Sequence, residues 1–215
     1  KGKTRWGPAF TVKQLLSQGY HAVFLAVGAH QSGKLGLEGE NVEGVHSSLG
    51  FLRAFHREGK SLARGRVGVV GGGNSALDGA RVALRQARDG EVTLLYRRTR
   101  QEMPAFAEEI EAALHEGVKL TTLVTPVEIV VKQGKLSGLT CQRNTLGDFD
   151  ASGRRKPVPL PGSEFFLPLD TLIVAVSETS SLAGDLAREL GTEGKVDPET
   201  LATGIPAVFA GGDAV

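Results

Sequence analysis

The chain has 215 residues, 40% hydrophobic and 23% charged, with 25 lysines and arginines against 24 aspartates and glutamates. That length gives one large or two small domains that bury roughly 70% of the unfolded surface, which excludes collagen-like, disordered and disulfide-stapled classes. The single cysteine, Cys141, forms no internal disulfide or redox pair and holds no iron–sulfur cluster or zinc ion by thiolates alone, so redox chemistry requires a bound cofactor.

In chain order, Thr11 to Gln18 carries a capping-box pattern, Thr11 with Gln14, and runs through Leu15 and Leu16 to a helix stop at Gly19. Ala22 to Val27 is continuously apolar and ends at Gly28, the pattern of a strand buried on both faces. Gly33 to Gly44, glycine-rich and acidic, reads as loop. Ser47 or Ser48 then caps a helix that places Leu52 and Phe55 on one face and stops at Gly59. The best-defined unit follows: a buried strand Val67 to Val70, a tight turn Gly71-Gly72-Gly73, a helix Ser75 to Arg88 and a second buried strand Val92 to Leu95. Ala76, Ala80, Ala83, Leu84 and Ala87 form the apolar stripe of that helix. Strand, glycine turn, helix and strand make a βαβ unit.

After Pro104 an amphipathic helix is expected with Phe106, Ile110, Ala113 and Leu114 inward and Gly117 at its end. Leu120 to Val131 and Leu136 to Arg143 flank Gln133-Gly134-Lys135, the grammar of an antiparallel hairpin, and Asp148 to Pro161 reads as a mobile loop at its far end. Leu172 to Val176 returns as a buried strand. The tail places a short strand Ala207 to Ala210 before Gly211-Gly212-Asp213.

A dinucleotide pyrophosphate needs a tight turn, a backbone without a Cβ in its path and a free helix N-terminus. In the G-x-G-x-x-A pattern here, Gly71 supplies the turn, Gly73 the open backbone, and Ala76 the close packing of helix on strand. A glycine turn alone is weak evidence, since many serve only as connections; a preceding buried strand and a following helix and strand give the confirming context. Asn74 and Ser75 either cap the helix or donate to phosphate. At the end of the second strand, Tyr96-Arg97-Arg98-Thr99-Arg100 presents cations and no acid before Glu102. Cations there favour a 2′-phosphate and hence NADP(H) over NAD(H); the alternative is a solvated basic turn paired with Glu102 or Glu108. Asp78, in the first helical turn, is read as structural.

The formal charge of +1 and the lack of long like-charged blocks give no reason to expect nucleic-acid binding. No apolar run approaches the ~18 residues of a membrane helix, and KGKTRWGP has no signal-peptide core. The expectation is a soluble cytoplasmic protein without membrane contact. The five histidines show no metal-ligand spacing, so no metal site is assigned.

The stretches VGVVGGGNSALDGARVALR and VTLLYRRTRQEMPAFAEEIEAALHEGV resemble the NADPH-binding domain of the glutamate synthase small-subunit family, whose relatives include the reductase half of dihydropyrimidine dehydrogenase and ferredoxin:NADP oxidoreductase subunits. GYHAVFLAVGAH, LEGENVEGVHSSLGFLRAF and TGIPAVFAGGDAV resemble that family's flavin-domain segments. The resemblance implies an α/β fold of the two-dinucleotide-binding flavoprotein type. A Rossmann-like NADPH-binding domain (64–178), a parallel sheet with an antiparallel excursion, would be inserted between two pieces of an FAD-binding domain (1–63 and 179–215), with hinges near Ser61 to Arg66 and Glu178. It further implies hydride transfer from NADPH to FAD, with electrons passed through iron–sulfur clusters outside this chain to a larger electron-accepting subunit or domain. Gly71, Gly72, Gly73, Asn74 and Ser75 would hold the pyrophosphate, Arg97, Arg98 and Arg100 the 2′-phosphate, and Gly212 and Asp213 the flavin. No residue is assigned as catalytic, because the cofactors carry the chemistry.

Three departures accompany the resemblance. The flavin glycine fingerprint and the cysteine-rich cluster domain are absent from these 215 residues, so the FAD site is expected to be incomplete and the fragment inactive alone. Where the family commonly has Gly-Gln, Ser177-Glu178 stands. The other partners compatible with the sequence are a ferredoxin, a hydrogenase or a formate dehydrogenase; a non-catalytic NADP(H)-binding module is the reading from another class.

Overall fold

The structure, a computed structural model, describes residues 10–87, 90–179 and 196–214. The chain divides into two compact units, one made of Lys1–Gln31 and Glu178–Val215, the other of Ser32–Ser177.

The first unit contains α1 (Val12–Ser17), fixed by the expected capping box: the Gln14 N–H donates to Thr11 Oγ1 at 3.2 Å and the Thr11 N–H to Gln14 Oε1 at 3.0 Å. β1 (Val23–Leu25) follows, and β2 (Gln31–Ser32) is the first crossing.

In the second unit β3 (Val45–Ser47) leads into α2 (Ser48–Glu58), and β4 (Val67–Val70) into α3 (Asn74–Gln86). β5 (Val92–Tyr96) passes through a 3₁₀ turn at Arg100–Glu102 into α4 (Ala107–His115) and β6 (Lys119–Thr122). An antiparallel excursion of β7 (Val124–Lys132), β8 (Lys135–Phe149), β9 (Arg155–Pro159) and β10 (Phe165–Pro168) precedes the returning strand β11 (Thr171–Val174). The spatial order β3-β11-β4-β5-β6 makes a five-stranded sheet, parallel throughout.

Both faces of this sheet are covered, which is why β4, β5 and β11 are buried at every position. Alternate residues Val67, Val69, Val92, Leu94 and Ile173 pack with Phe51 of α2, Leu77, Ala80 and Ala83 of α3, and Ile110 and Ala113 of α4. The opposite set, Val70, Leu95, Leu172 and Val174, packs with Val124, Ile129, Leu136, Leu139 and Cys141 of the excursion. The result is three layers: helices, parallel sheet, antiparallel sheet.

Several expectations are corrected. The run from Leu120 to Val131 is not one strand, because Leu123 adopts φ +56° and turns the chain from the parallel sheet (β6) into the antiparallel one (β7). Gln133 (φ +53°) and Gly134 (φ +75°) close the expected hairpin, with Lys132 opposite Lys135. The expected mobile loop 148–161 is a second hairpin: β8 runs on to Phe149, and β9 pairs back on it. Its prolines, Pro157 and Pro159, lie on a strand paired along one side only, where a missing N–H is tolerated. Phe106 is 66% exposed rather than inward, because it is the extended N-cap residue of α4 and so lies outside the helical phase. In α2 the buried face is Phe51 and Ala54, with Leu52 and Phe55 only half-buried; Ser47 is the cap, and Gly59 ends the helix in the left-handed conformation.

β12 (Glu178–Thr179) is the second crossing and pairs with β2. β13 (Val208–Ala210) lies parallel to β1, and Val12, Val23, Leu25, Val208 and Ala210 form the core of the first unit. The units divide at Gln31/Ser32 and Ser177/Glu178; β3 and α2 fall in the second because β3 joins the parallel sheet beside β11 and α2 packs on it. The expected helix end at Arg88 and residues 180–195 of the expected 179–215 piece lie outside the described residues.

Candidate functional site

The carboxyl ends of β4, β5 and β11 lie side by side, the edge at which ligands bind in open parallel α/β sheets. Gly71 leaves β4 here. A Cβ on it would lie 2.3 Å from the carbonyl oxygen of Ala175 and 3.0 Å from Ala76 Cβ, so the turn needs glycine to bring strand, strand and helix together. Gly72 needs it for a different reason: a Cβ would lie 2.4 Å from the Tyr96 ring. Gly73 has neither reason. It is the N-cap of α3 with φ −91° and ψ 177°, and a Cβ there would meet no atom within 4 Å.

The turn opens a helix of 13 residues that has no side-chain cap, so neither Asn74 nor Ser75 caps it. The N–H groups of Gly72, Gly73, Asn74 and Ser75 have no acceptor among the described residues. Four unpartnered donors at the positive end of a helix, over a position with open space, make a cradle for an anion. Asn74 serves a different neighbour, its Oδ1 accepting from the Phe106 N–H at 3.0 Å. Ser48 Oγ donates to the Ser75 carbonyl at 3.0 Å and so ties α2 to the same helix end.

The segment after β5 is laced to this turn. Tyr96 Oη donates to the Glu102 carbonyl at 2.6 Å, and the Ala105 N–H donates to the Gly72 carbonyl at 3.2 Å. Thr99 and Glu102 form a capping box on the 3₁₀ turn. Tyr96 and Glu102 belong to the site's framework but carried no motif; only the apolar ring at the end of a strand, opposite a glycine, signalled the first.

The three arginines are placed differently. Arg97 is exposed, and its guanidinium has no partner among the described residues. Arg98 is 3% exposed: Nη2 donates to Asp150 Oδ2 and Nε to the Arg155 carbonyl, both at 2.6 Å. Arg100 is paired on the surface with Glu111. Neither Glu102 nor Glu108 takes an arginine of this run. Asp150, gripped by the Ser152 hydroxyl and backbone N–H groups as well as by Arg98, has its carboxyl pulled down to about 2.

At the second glycine turn the Gly211 N–H donates to the Leu25 carbonyl at 3.1 Å, and a Cβ on Gly211 would lie 2.9 Å from the Phe24 ring. Gly212 has φ +69° and open space beside it, and Asp213 is exposed. At the second crossing Ser177 adopts φ +45°, a conformation that favours glycine, and its carbonyl accepts from the Gly33 N–H at 2.7 Å. One carboxylate oxygen of Glu178 is buried without a hydrogen-bond partner among the described residues.

Among the described residues no group of three histidines, cysteines, aspartates or glutamates could hold a metal ion, and no helix is long and apolar enough to cross a membrane. Cys141 is fully buried, and burial pushes its thiol up to about 12, which keeps it protonated and unreactive.

A parallel sheet with an uncapped glycine turn at its carboxyl edge and an antiparallel excursion on one face defines an α/β protein of the open parallel-sheet class, which binds ligands at that edge. The chain belongs to the pyridine nucleotide-disulphide oxidoreductase family, which it matches over residues 7–215. It is 46% identical to the NADP(+)-dependent formate dehydrogenase subunit beta of Moorella thermoacetica, over 99% of this chain and 31% of that one. With the NADPH glutamate synthase small chain of Escherichia coli it shares 37% identity over 100% of this chain and 49% of the relative. The chain thus spans at most about half the length of these curated relatives. Among solved structures, Mycobacterium tuberculosis FprA in complex with NADPH is similar with a TM-score of 0.71 at 22% identity, over 93% of this chain and 59% of that one. Thioredoxin reductase from T. acidophilum is similar at 0.62 and 19%, over 90% and 57%.

Proposed function

We propose that this chain is the NADP(H)-binding part of a flavin-dependent oxidoreductase. The observation that carries the reading is the turn at 71–75: four unpartnered N–H groups at a helix N-terminus beside a glycine that the protein's own packing does not require. Gly71 shapes the turn, Gly72 admits Tyr96, and Gly73, Asn74 and Ser75 offer their N–H groups to the pyrophosphate. Arg97, exposed and without a side-chain partner among the described residues, would meet the 2′-phosphate, with Arg100 three residues further on. In this reading Arg98, placed by the resemblance on the same phosphate, acts through the backbone instead. Gly212, with a left-handed turn and open space, and Asp213, an exposed carboxylate, would hold FAD.

When both cofactors are bound, they supply the redox chemistry, a hydride passing from NADPH to FAD. The residues of this chain bind and orient, and none is required to donate or accept a proton. Electrons would then leave through iron–sulfur clusters outside these residues, in an assembly of the glutamate synthase small-subunit type. A second reading, delivery to a formate dehydrogenase-type partner, is favoured by the 46% identity to that subunit against 37% to the glutamate synthase chain.

A diaphorase assay on the full-length protein tests the proposal. NADPH-dependent reduction of a dye acceptor is expected, with bleaching of bound flavin; NADP(H) binding without dye reduction would instead identify a binding module.

A further inference from the structure

Arg97 follows a strand that ends at Tyr96, and nothing in its own side chain fixes it. Its backbone is fixed from elsewhere. Asn144, a residue of β8 only 4% exposed, donates from Nδ2 to the Arg97 carbonyl at 2.9 Å and to Thr125 Oγ1 at 2.8 Å. The Asn144 N–H donates to the Leu123 carbonyl at 2.8 Å, and the Leu123 N–H donates to the Arg98 carbonyl at 3.0 Å. Leu123 holds φ +56° to do so. Beyond it, the buried Arg98 guanidinium is gripped by Asp150 and the Arg155 carbonyl at the β8–β9 turn. The Arg97 carbonyl and the Arg98 side chain are therefore held by the antiparallel excursion, and the Arg98 carbonyl by Leu123 at its entrance, while the Arg97 guanidinium has no partner among the described residues.

We propose that the antiparallel excursion sets nucleotide selectivity, with Asn144 and the Arg98–Asp150 ion pair as positioning residues that present Arg97 to the 2′-phosphate of the ligand. This rests on the NADP(H) reading above. The buried Arg98 guanidinium, held by the half-buried Asp150, and the buried Asn144 Nδ2, held by the Arg97 carbonyl and the Thr125 hydroxyl, favour this geometry, because moving either leaves a donor unpaired in the interior. A charge-assisted arginine–phosphate contact depends steeply on that geometry. Losing the clamp should therefore cost affinity for the 2′-phosphate and leave the adenosine and 5′-phosphate contacts unchanged.

The test is calorimetric titration of the full-length protein with adenosine 2′,5′-bisphosphate and, separately, 5′-AMP. The wild type is expected to prefer the bisphosphate by about tenfold or more, and Arg97→Ala to abolish the preference. Asp150→Asn and Asn144→Ala should each reduce it roughly three- to tenfold while leaving 5′-AMP affinity within about twofold. Neither should reduce it further in an Arg97→Ala background. Asp150 is the more exposed member of its pair, so Asp150→Asn carries the test if Asn144→Ala does not fold. An undiminished preference in Asp150→Asn, or equal losses for both ligands, would overturn the proposal. A wild type without preference, or an Arg97→Ala protein that keeps it, would overturn the NADP(H) reading itself and the proposal with it.

Discussion

The two glycine turns, at 71–73 and 211–213, each follow a buried strand paired in parallel, yet they present opposite chemistry. The first opens the 13-residue α3 and leaves four N–H groups unpartnered; the second opens a single 3₁₀ turn with an exposed carboxylate, Asp213. Gly71 and Gly72 are demanded by packing against the carbonyl of Ala175 and the ring of Tyr96, whereas a Cβ on Gly211 would press only on the outer edge of the exposed Phe24 ring. Two others, 73 and 212, stand beside open space. The lesson is that a glycine-rich sequence mixes residues needed by the fold, through close packing at 71 or a left-handed backbone at 212, with a residue such as Gly73 whose smallness only a ligand would need, and the space beside each Cβ together with φ separates them.

Substitutions can break this contrast. The largest effect is expected at Gly71→Ala, whose methyl group would press on the Ala175 carbonyl: a loss of about 2–3 kcal/mol in urea denaturation, with nucleotide binding falling with it. Gly73→Ser should separate fold from binding. Serine suits an extended N-cap, so stability should stay within about 0.5 kcal/mol of wild type or rise, while NADP+ affinity in a fluorescence titration drops by about tenfold or more. If Gly73→Ser binds normally, the open space has no ligand to explain it. Arg97→Glu is expected to lower the preference for NADP(H) over NAD(H) by at least about tenfold, whereas Arg100→Glu, already paired with Glu111, should do less.

Smaller effects sharpen the picture of the layers. Glu116 joins α4 to α3 through Arg81 and Arg85, and chiefly the Arg81 hydrogen bonds draw its carboxyl down to about 2. A folded-state value below the unfolded one means stabilisation that is present above the ordinary carboxylate range and lost as pH falls toward about 2. Asp150, also near 2, acts with the same sign. Urea midpoints should thus fall over that acid range, and Glu116→Gln should flatten part of the slope. The smallest effect is expected at Ser177→Gly, which relieves φ +45° but frees the unfolded chain, for a net change within about 1 kcal/mol.

Local chemistry was legible in the sequence where it acted over a few residues. The Thr11–Gln14 capping box, the Gly59 stop, the strand–turn–helix around Gly71 and the Gln133-Gly134 hairpin each depend on neighbours along the chain. Long-range recruitment was not legible. Val45-His46-Ser47 is too short and too polar to announce a sheet strand, and joins one only because β11 offers an edge. Arg98 looked like its neighbour Arg97, since its partner Asp150 lies 52 residues away. Asn144 carried no motif at all. Pro157 and Pro159 disguised β9 as loop.

The central claim is most directly tested by calorimetric titration of the full-length protein with NADP(H) and with NAD(H). NADP(H) should bind more tightly by at least about tenfold, with Arg97 carrying the difference. Equal affinities for the two nucleotides, or no binding of either, would contradict the account.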